Sequence, residues 1–127
     1  MKKTAIIAAD APPPISQYCE AMEVVGATRL LLISAQTPVT PDGVVPVDFK
    51  SQARQVWANL QAQLRAANMG LDNLVKITVY LADRRFGSLH REIREEILAG
   101  RIIGLTVVIA DMLDERHLLE IEAVAAG

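Results

Sequence analysis

The β-forming stretches of this chain are apolar on both faces, and that limits what it can fold into. Leu30–Ile33 reads LLLI, Ile77–Leu81 reads ITVYL and Leu105–Ala110 reads LTVVIA. Successive strand residues point to opposite faces. A sheet with one wet face should therefore alternate apolar and polar residues more cleanly than this. Only two stretches carry helical periodicity, and two helices can cover only one face of such a sheet. The other face needs a second cover, most simply further copies of the same chain. The pattern predicts a self-associating α+β fold.

Read in order, Thr4–Ala8 is a short strand, and Asp10-Ala-Pro-Pro-Pro14 cannot continue it, because proline has no N–H and fixes φ. Cys19–Val25 and Arg29–Ser34 are strand candidates joined through Gly26-Ala27-Thr28. The loop through Pro41-Asp42-Gly43 carries turn chemistry. The clearest helix runs from Asp48 to Asn68, with Asp48 as N-cap and Gly70 as stop. Its apolar face is Ala53, Val56, Trp57, Leu60, Leu64 and Ala67. Leu74–Leu81 is a strand, and Phe86–Ala99 is a second helix ended by Gly100. Leu105–Ala110 and Leu118–Ala126 close the chain. No repeat or linker divides residues 1–127, so a single domain is expected.

The closing strand carries two carboxylates, Glu120 and Glu122, which share one face with Leu118 and Val124. Leu119, Ile121 and Ala123 line the other face. Carboxylates inside an apolar strand are costly unless partnered, so this pair is the first place to look for chemistry. Glu122 is expected to be structural, paired with Lys76 or an arginine of another strand.

Composition narrows the function classes. The formal net charge is −2 and aromatics make up 4% of the chain, which argues against nucleic acid as a partner. No stretch approaches the ~20 apolar residues of a membrane span. MKKTAIIAADA has basic and apolar parts, but its apolar run stops at Asp10, too soon for a secretory signal. The single cysteine, Cys19, excludes an intrachain disulfide and suits a reducing compartment, so a cytoplasmic location is expected. His90 and His117 are the only histidines, and no ligand spacing matches a metal site. Neither a cofactor nor a metal is expected. Arg84, Arg85, Arg91 and Arg94 are offset by Glu92, Glu95 and Glu96 and read as a solvated helix face.

Several stretches together resemble the YjgF/RidA family of reactive-intermediate deaminases, also known as L-PSP proteins. They are Ser34-Ala35-Gln36-Thr37-Pro38, Gln52-Ala53-Arg54-Gln55 with Asn59, Gly70 through Leu81 (GLDNLVKITVYL), and Glu120-Ile121-Glu122-Ala123. The resemblance implies a chorismate-mutase-like α+β fold: a mixed sheet with two helices packed on one face, three copies forming a central barrel. It also implies small-molecule sites in clefts between subunits. In deaminating members, an arginine at the start of the penultimate strand grips a substrate carboxylate. A glutamate in the last strand holds the water that adds to an imine carbon.

Carried onto this sequence, the resemblance makes Glu120 the catalytic glutamate, and Tyr18, Ser34, Ala35, His90, Leu105 and Thr106 the substrate-binding set. Two positions depart from the family pattern. Ala35 replaces a glycine, and Leu105 stands where the arginine is expected. Leucine cannot bind a carboxylate, and losing a charge-assisted hydrogen bond forfeits about 1.5–3 kcal/mol. Arg101 and Arg116 are the cations that could stand in for it. The reading is a metabolite-handling homotrimer, related to imine and enamine deaminases but without the usual 2-aminoacrylate activity. The alternatives are deamination of a different imine or unsaturated amino acid (2-aminomuconate-like), L-PSP-type endoribonuclease or translation inhibition, and a non-catalytic regulatory or assembly role.

Overall fold

A computed structural model describes residues 1–127. The strands are β1 (Lys2–Ile6), β2 (Ala21–Val25), β3 (Leu30–Gln36), β4 (Leu74–Leu81), β5 (Gly104–Ile109) and β6 (Leu119–Ala126), and the helices are α1 (Phe49–Ala66) and α2 (Gly87–Leu98). A four-stranded sheet has the order β3-β6-β4-β5. Its β4–β5 pair is parallel, and its β3–β6 and β4–β6 pairs are antiparallel. The parallel pair needs a crossover connection, and α2 supplies it. β1 and β2 form a separate antiparallel ribbon.

α1 begins where the sequence places it: the Asp48 carboxylate accepts a hydrogen bond from the Ser51 backbone N–H at 3.0 Å. Its end differs from expectation. The left-handed residue is Asn68 (φ 56°), and the Met69 N–H returns to the Leu64 carbonyl at 2.8 Å. Gly70 is extended and plays no part in the stop. α2 ends on two consecutive left-handed residues, Ala99 (φ 49°) and Gly100 (φ 86°); only the second is free of a Cβ penalty.

Both helices lie on one face of the sheet. Phe49, Val56, Trp57, Leu60 and Leu64 of α1 pack on Ile77, Val79 and Leu81 of β4 and on Leu119, Ile121, Ala123 and Ala125 of β6. The alternation on β4 and β6 is as read from sequence, with Lys76, Thr78 and Tyr80 opposite Ile77, Val79 and Leu81. The helix-free face carries Glu120, Glu122 and Val124 together with Leu32, which is 74% exposed. It also carries Thr106 and Val108 of β5, in register with Thr78 and Tyr80. The outer strand β3 has an unpaired edge, and that of β5 is met only at Gly104. No helix is long and apolar enough to cross a membrane.

Polar residues of α1 clamp the loops. Buried Gln52 donates to the carbonyls of Pro46 (2.7 Å) and Arg116 (2.9 Å) and accepts from the Leu118 N–H (2.8 Å). Asn59 donates to the carbonyls of Thr37 and Val39, both at 2.9 Å. The strand expected to begin at Cys19 starts at Ala21 instead. Cys19 makes an isolated parallel bridge to Gly104, its N–H donating to the Ile103 carbonyl at 3.0 Å. That bridge ties the proline-rich loop to the start of β5 and brings Tyr18 close to Leu105.

Candidate functional site

The residues singled out in the sequence fall into three places. Tyr18, His90 and Leu105 line one cavity of about 330 Å³, together with Ser16, Arg94 and Val107. Glu120 lines a second, of about 600 Å³, with Thr37, Leu113, Asp114, Glu115 and His117. Ser34 sits on the helix-free face beside Lys76, Thr78 and Glu122. Ala35 is half-buried next to Ser34, and Thr106 is exposed on β5. Within one chain, Glu120 does not meet Tyr18 or Leu105 in a common cavity.

In the first cavity, α2 supplies His90 and Arg94, one helical turn apart on the same side. His90 is 1% exposed and lies nearly parallel to Trp57, with ring centroids 6.4 Å apart. Burial, with the Arg94 charge added, pushes its pKa down to about 3, so the ring is neutral near pH 7. Arg94 is also buried, at 4% exposure, which corrects the reading of this stretch as a solvated face throughout. Arg91 does follow that reading, exposed and paired with Glu95 at 3.2 Å. Leu105 is on the helix side of β5, in register with Ile77, and with Leu81 and Val107 it forms an apolar wall. The neighbouring Cys19 thiol has its pKa raised by burial, opposite to what a reactive thiolate requires.

The second cavity is organised by the turn before β6. Asp114 accepts hydrogen bonds from the Arg116 N–H (2.9 Å), Nε (3.1 Å) and Nη2 (2.6 Å), and its carbonyl takes the His117 N–H at 3.0 Å. The Arg116 side chain, then the Arg116 backbone N–H, hold the Asp114 carboxyl well below the usual range. The turn presents His117 to Glu120, with Nδ1 and Oε2 3.1 Å apart. Gln52 fixes the other side of the turn through Arg116 and Leu118. Glu120 is therefore held in place by a histidine that the sequence alone did not connect to it. The usable signal was the three-residue spacing, readable only once the turn is known.

Glu122 is not paired with Lys76 or with an arginine. It accepts the Tyr80 hydroxyl at 3.0 Å, and the carboxylate raises the Tyr80 pKa. Neither Arg101 nor Arg116 is a free cation. Arg101 is paired with Asp72 at 2.6 Å and Arg116 with Asp114 at 2.6 Å. No three His, Cys, Asp or Glu side chains are grouped to hold a metal ion.

Comparison with known proteins matches this geometry to one group. A family model described as Endoribonuclease L-PSP matches residues 8–127. A RutC family protein of Pyrococcus horikoshii is 34% identical over 97% of both chains. The 2-iminobutanoate/2-iminopropanoate deaminase of Escherichia coli is 36% identical over 65% of this chain and 62% of its own length. Among solved structures, the Rid-family protein YyfB of Yersinia pestis covers all of both chains with a TM-score of 0.89, at 22% identity. Escherichia coli TdcF, solved with bound serine, covers 98% of both chains with a TM-score of 0.72, at 26% identity. The fold is the chorismate-mutase-like α+β arrangement of these proteins.

Proposed function

Because the chain belongs to the Endoribonuclease L-PSP family, the YjgF/RidA proteins, we propose that it handles a small metabolite in clefts between the subunits of a homotrimer. In this reading it lacks the ordinary 2-aminoacrylate-type imine deaminase activity, because Leu105 stands where the carboxylate-binding arginine is expected.

The observation that carries the proposal is that the two cavities share no residue and each has a bare apolar side chain at its rim. Ile15, beside Tyr18, is 87% exposed, and Leu113, beside Glu120, is 104% exposed. Leu32 and Val108 on the helix-free face are similarly uncovered. Joining the Tyr18–Leu105 cavity of one copy to the Glu120 cavity of the next would cover these rims. It would also place an apolar wall opposite a carboxylate. Glu120, steadied by His117, then has the role of holding water against an electrophilic carbon. For an imine, that water adds across C=N, ammonia leaves and a carbonyl compound remains. The deaminase relative and the serine-bound structure support a small ligand derived from an amino acid.

A second reading, deamination of a different imine or unsaturated amino acid, is favoured by the intact Glu120–His117 contact at 3.1 Å. The nuclease in the family's description is not part of either reading, since a net charge of −2 and 4% aromatics give little purchase on RNA.

The test is ketoacid release from 2-iminobutanoate. Wild-type protein is expected to leave the spontaneous rate unchanged. Leu105→Arg should accelerate release in a Glu120-dependent way, and should be less stable by several kcal/mol, because the new guanidinium enters an apolar cavity beside Arg94. Robust wild-type turnover that survives Arg101→Ala and Arg116→Ala would contradict the role given to Leu105.

A further inference from the structure

Arg94 is charged, buried and unpaired. Arg54, Arg85, Arg91, Arg101 and Arg116 each have a carboxylate partner within 4.0 Å, although their side chains are 37–74% exposed and need one least. Arg94, at 4% exposure, takes part in none of the ion pairs. Its Nε is buried without a hydrogen-bond partner. Its one side-chain hydrogen bond is a long one from Nη2 to the Ser16 hydroxyl, at 3.4 Å. Burial lowers its pKa, and the nearby Glu95 charge offsets that only in part. A desolvated charge of this kind is strongly unfavourable unless something neutralises it.

The surroundings define what would do so. The guanidinium lines the same cavity of about 330 Å³ as the Ser16 and Tyr18 side chains and the apolar wall of Leu81, Leu105 and Val107. A planar donor fork matches a carboxylate. The hydroxyls can supply further donors, and the wall suits a short aliphatic tail. Exposed Glu20 at the rim disfavours a second negative charge. Arg91, also at the rim, is already committed to Glu95.

We propose that this cavity binds a small monocarboxylate, its carboxylate paired with Arg94 from α2 and its apolar part lying on Leu105. The inference rests on the reading of this cavity as a ligand site, but not on trimerisation or on imine chemistry. It places the cation on the helix beside β5 instead of on the strand, so the ligand's carboxylate lies on the α2 side of the cavity.

The test uses the unmodified chain, titrated with butanoate and with its neutral isostere butanamide and followed by amide NMR shifts. Butanoate should saturate shifts at Ser16, Tyr18 and Leu105, with butanamide about ten- to hundredfold weaker. Arg94→Met should abolish that preference, Arg94→Lys should recover part of it, and Arg101→Ala should leave it intact. Butanoate should raise the melting temperature of wild-type protein but not that of Arg94→Met. If Arg94→Met fails to fold, the butanoate–butanamide comparison on wild type and Arg94→Lys decides the matter. Equal binding of the acid and the amide would overturn the proposal. So would undiminished preference in Arg94→Met, or dissociation of an oligomer by Arg94→Met with no butanoate preference in wild type. Ketoacid release is scored separately, so butanoate can fail to bind while the functional reading stands, and the reverse.

Discussion

The two cavities solve the problem of charge in opposite ways. Around Glu120 most charges are matched: Asp114 is tied to Arg116, and His117 stands between Asp114 and Glu120, with Glu115 alone outside any ion pair. The Asp114–Arg116 pair is open to solvent, so that matching is inexpensive. Around Leu105 the walls are apolar, His90 is neutral, and the one buried charge has no counter-ion. In one region the charges are mostly paired within the chain, and in the other a buried cation is left without an ion-pair partner. On the readings proposed above, the carboxylate steadied by its turn serves as a base and the unpaired buried cation serves for binding.

The largest expected effect that would sharpen this contrast is acid sensitivity on the Arg94 side. His90 has a folded pKa of about 3 against an ordinary 6.5, so the unfolded chain takes up a proton that the folded one refuses. The stability from its neutral burial is present above pH 6.5 and is lost as pH falls toward 3, at up to about 1.4 kcal/mol per pH unit. Urea denaturation across that range should show the slope, and His90→Phe, which keeps a ring against Trp57, should flatten it. An unchanged acid limb in His90→Phe would mean that burial of the imidazole is not what separates the two regions. The Asp114 contribution runs the same way at lower pH: present above its ordinary pKa of 3.8 and lost below it.

A smaller effect is expected from Gln52→Leu, which removes two hydrogen bonds to the turn that carries His117 and one to the Pro46 carbonyl. Stranding those buried backbone groups should cost about 3 kcal/mol. Amide shifts should move around Asp114–Glu120 and stay in place around Tyr18 and Leu105. Disturbance of both cavities would break the claim that they are independent within one chain. The smallest is Tyr80→Phe, which frees Glu122 from its 3.0 Å partner and should shift the chemical-denaturation midpoint least of the three.

The parts of the fold governed by local rules were readable in the sequence. Asp48 caps α1, Leu74–Leu81 alternates as read, and Glu120 and Glu122 share the face opposite Leu119 and Ile121. Where local chemistry had rivals, the reading slipped: Asn68 took the left-handed position expected near Gly70. Arg94 was hidden for a different reason. Its neighbours Arg91, Glu92, Glu95 and Glu96 made the stretch look solvated, while the segment that buries it includes Ser16, 78 residues away. The partner of Glu122 was equally non-local, since Tyr80 meets it only through the β4–β6 register. Separation of Glu120 from Tyr18 and Leu105 is a property of the tertiary arrangement, and no spacing in the chain announces it.

The central claim is that each chain carries two half-sites that become one only between copies. Sedimentation equilibrium at micromolar concentration tests it most directly. The account predicts about three times the 13.8 kDa chain mass, with no folded monomer. A stable folded species at 13.8 kDa would leave Ile15 and Leu113 bare and the two cavities apart, and would contradict it.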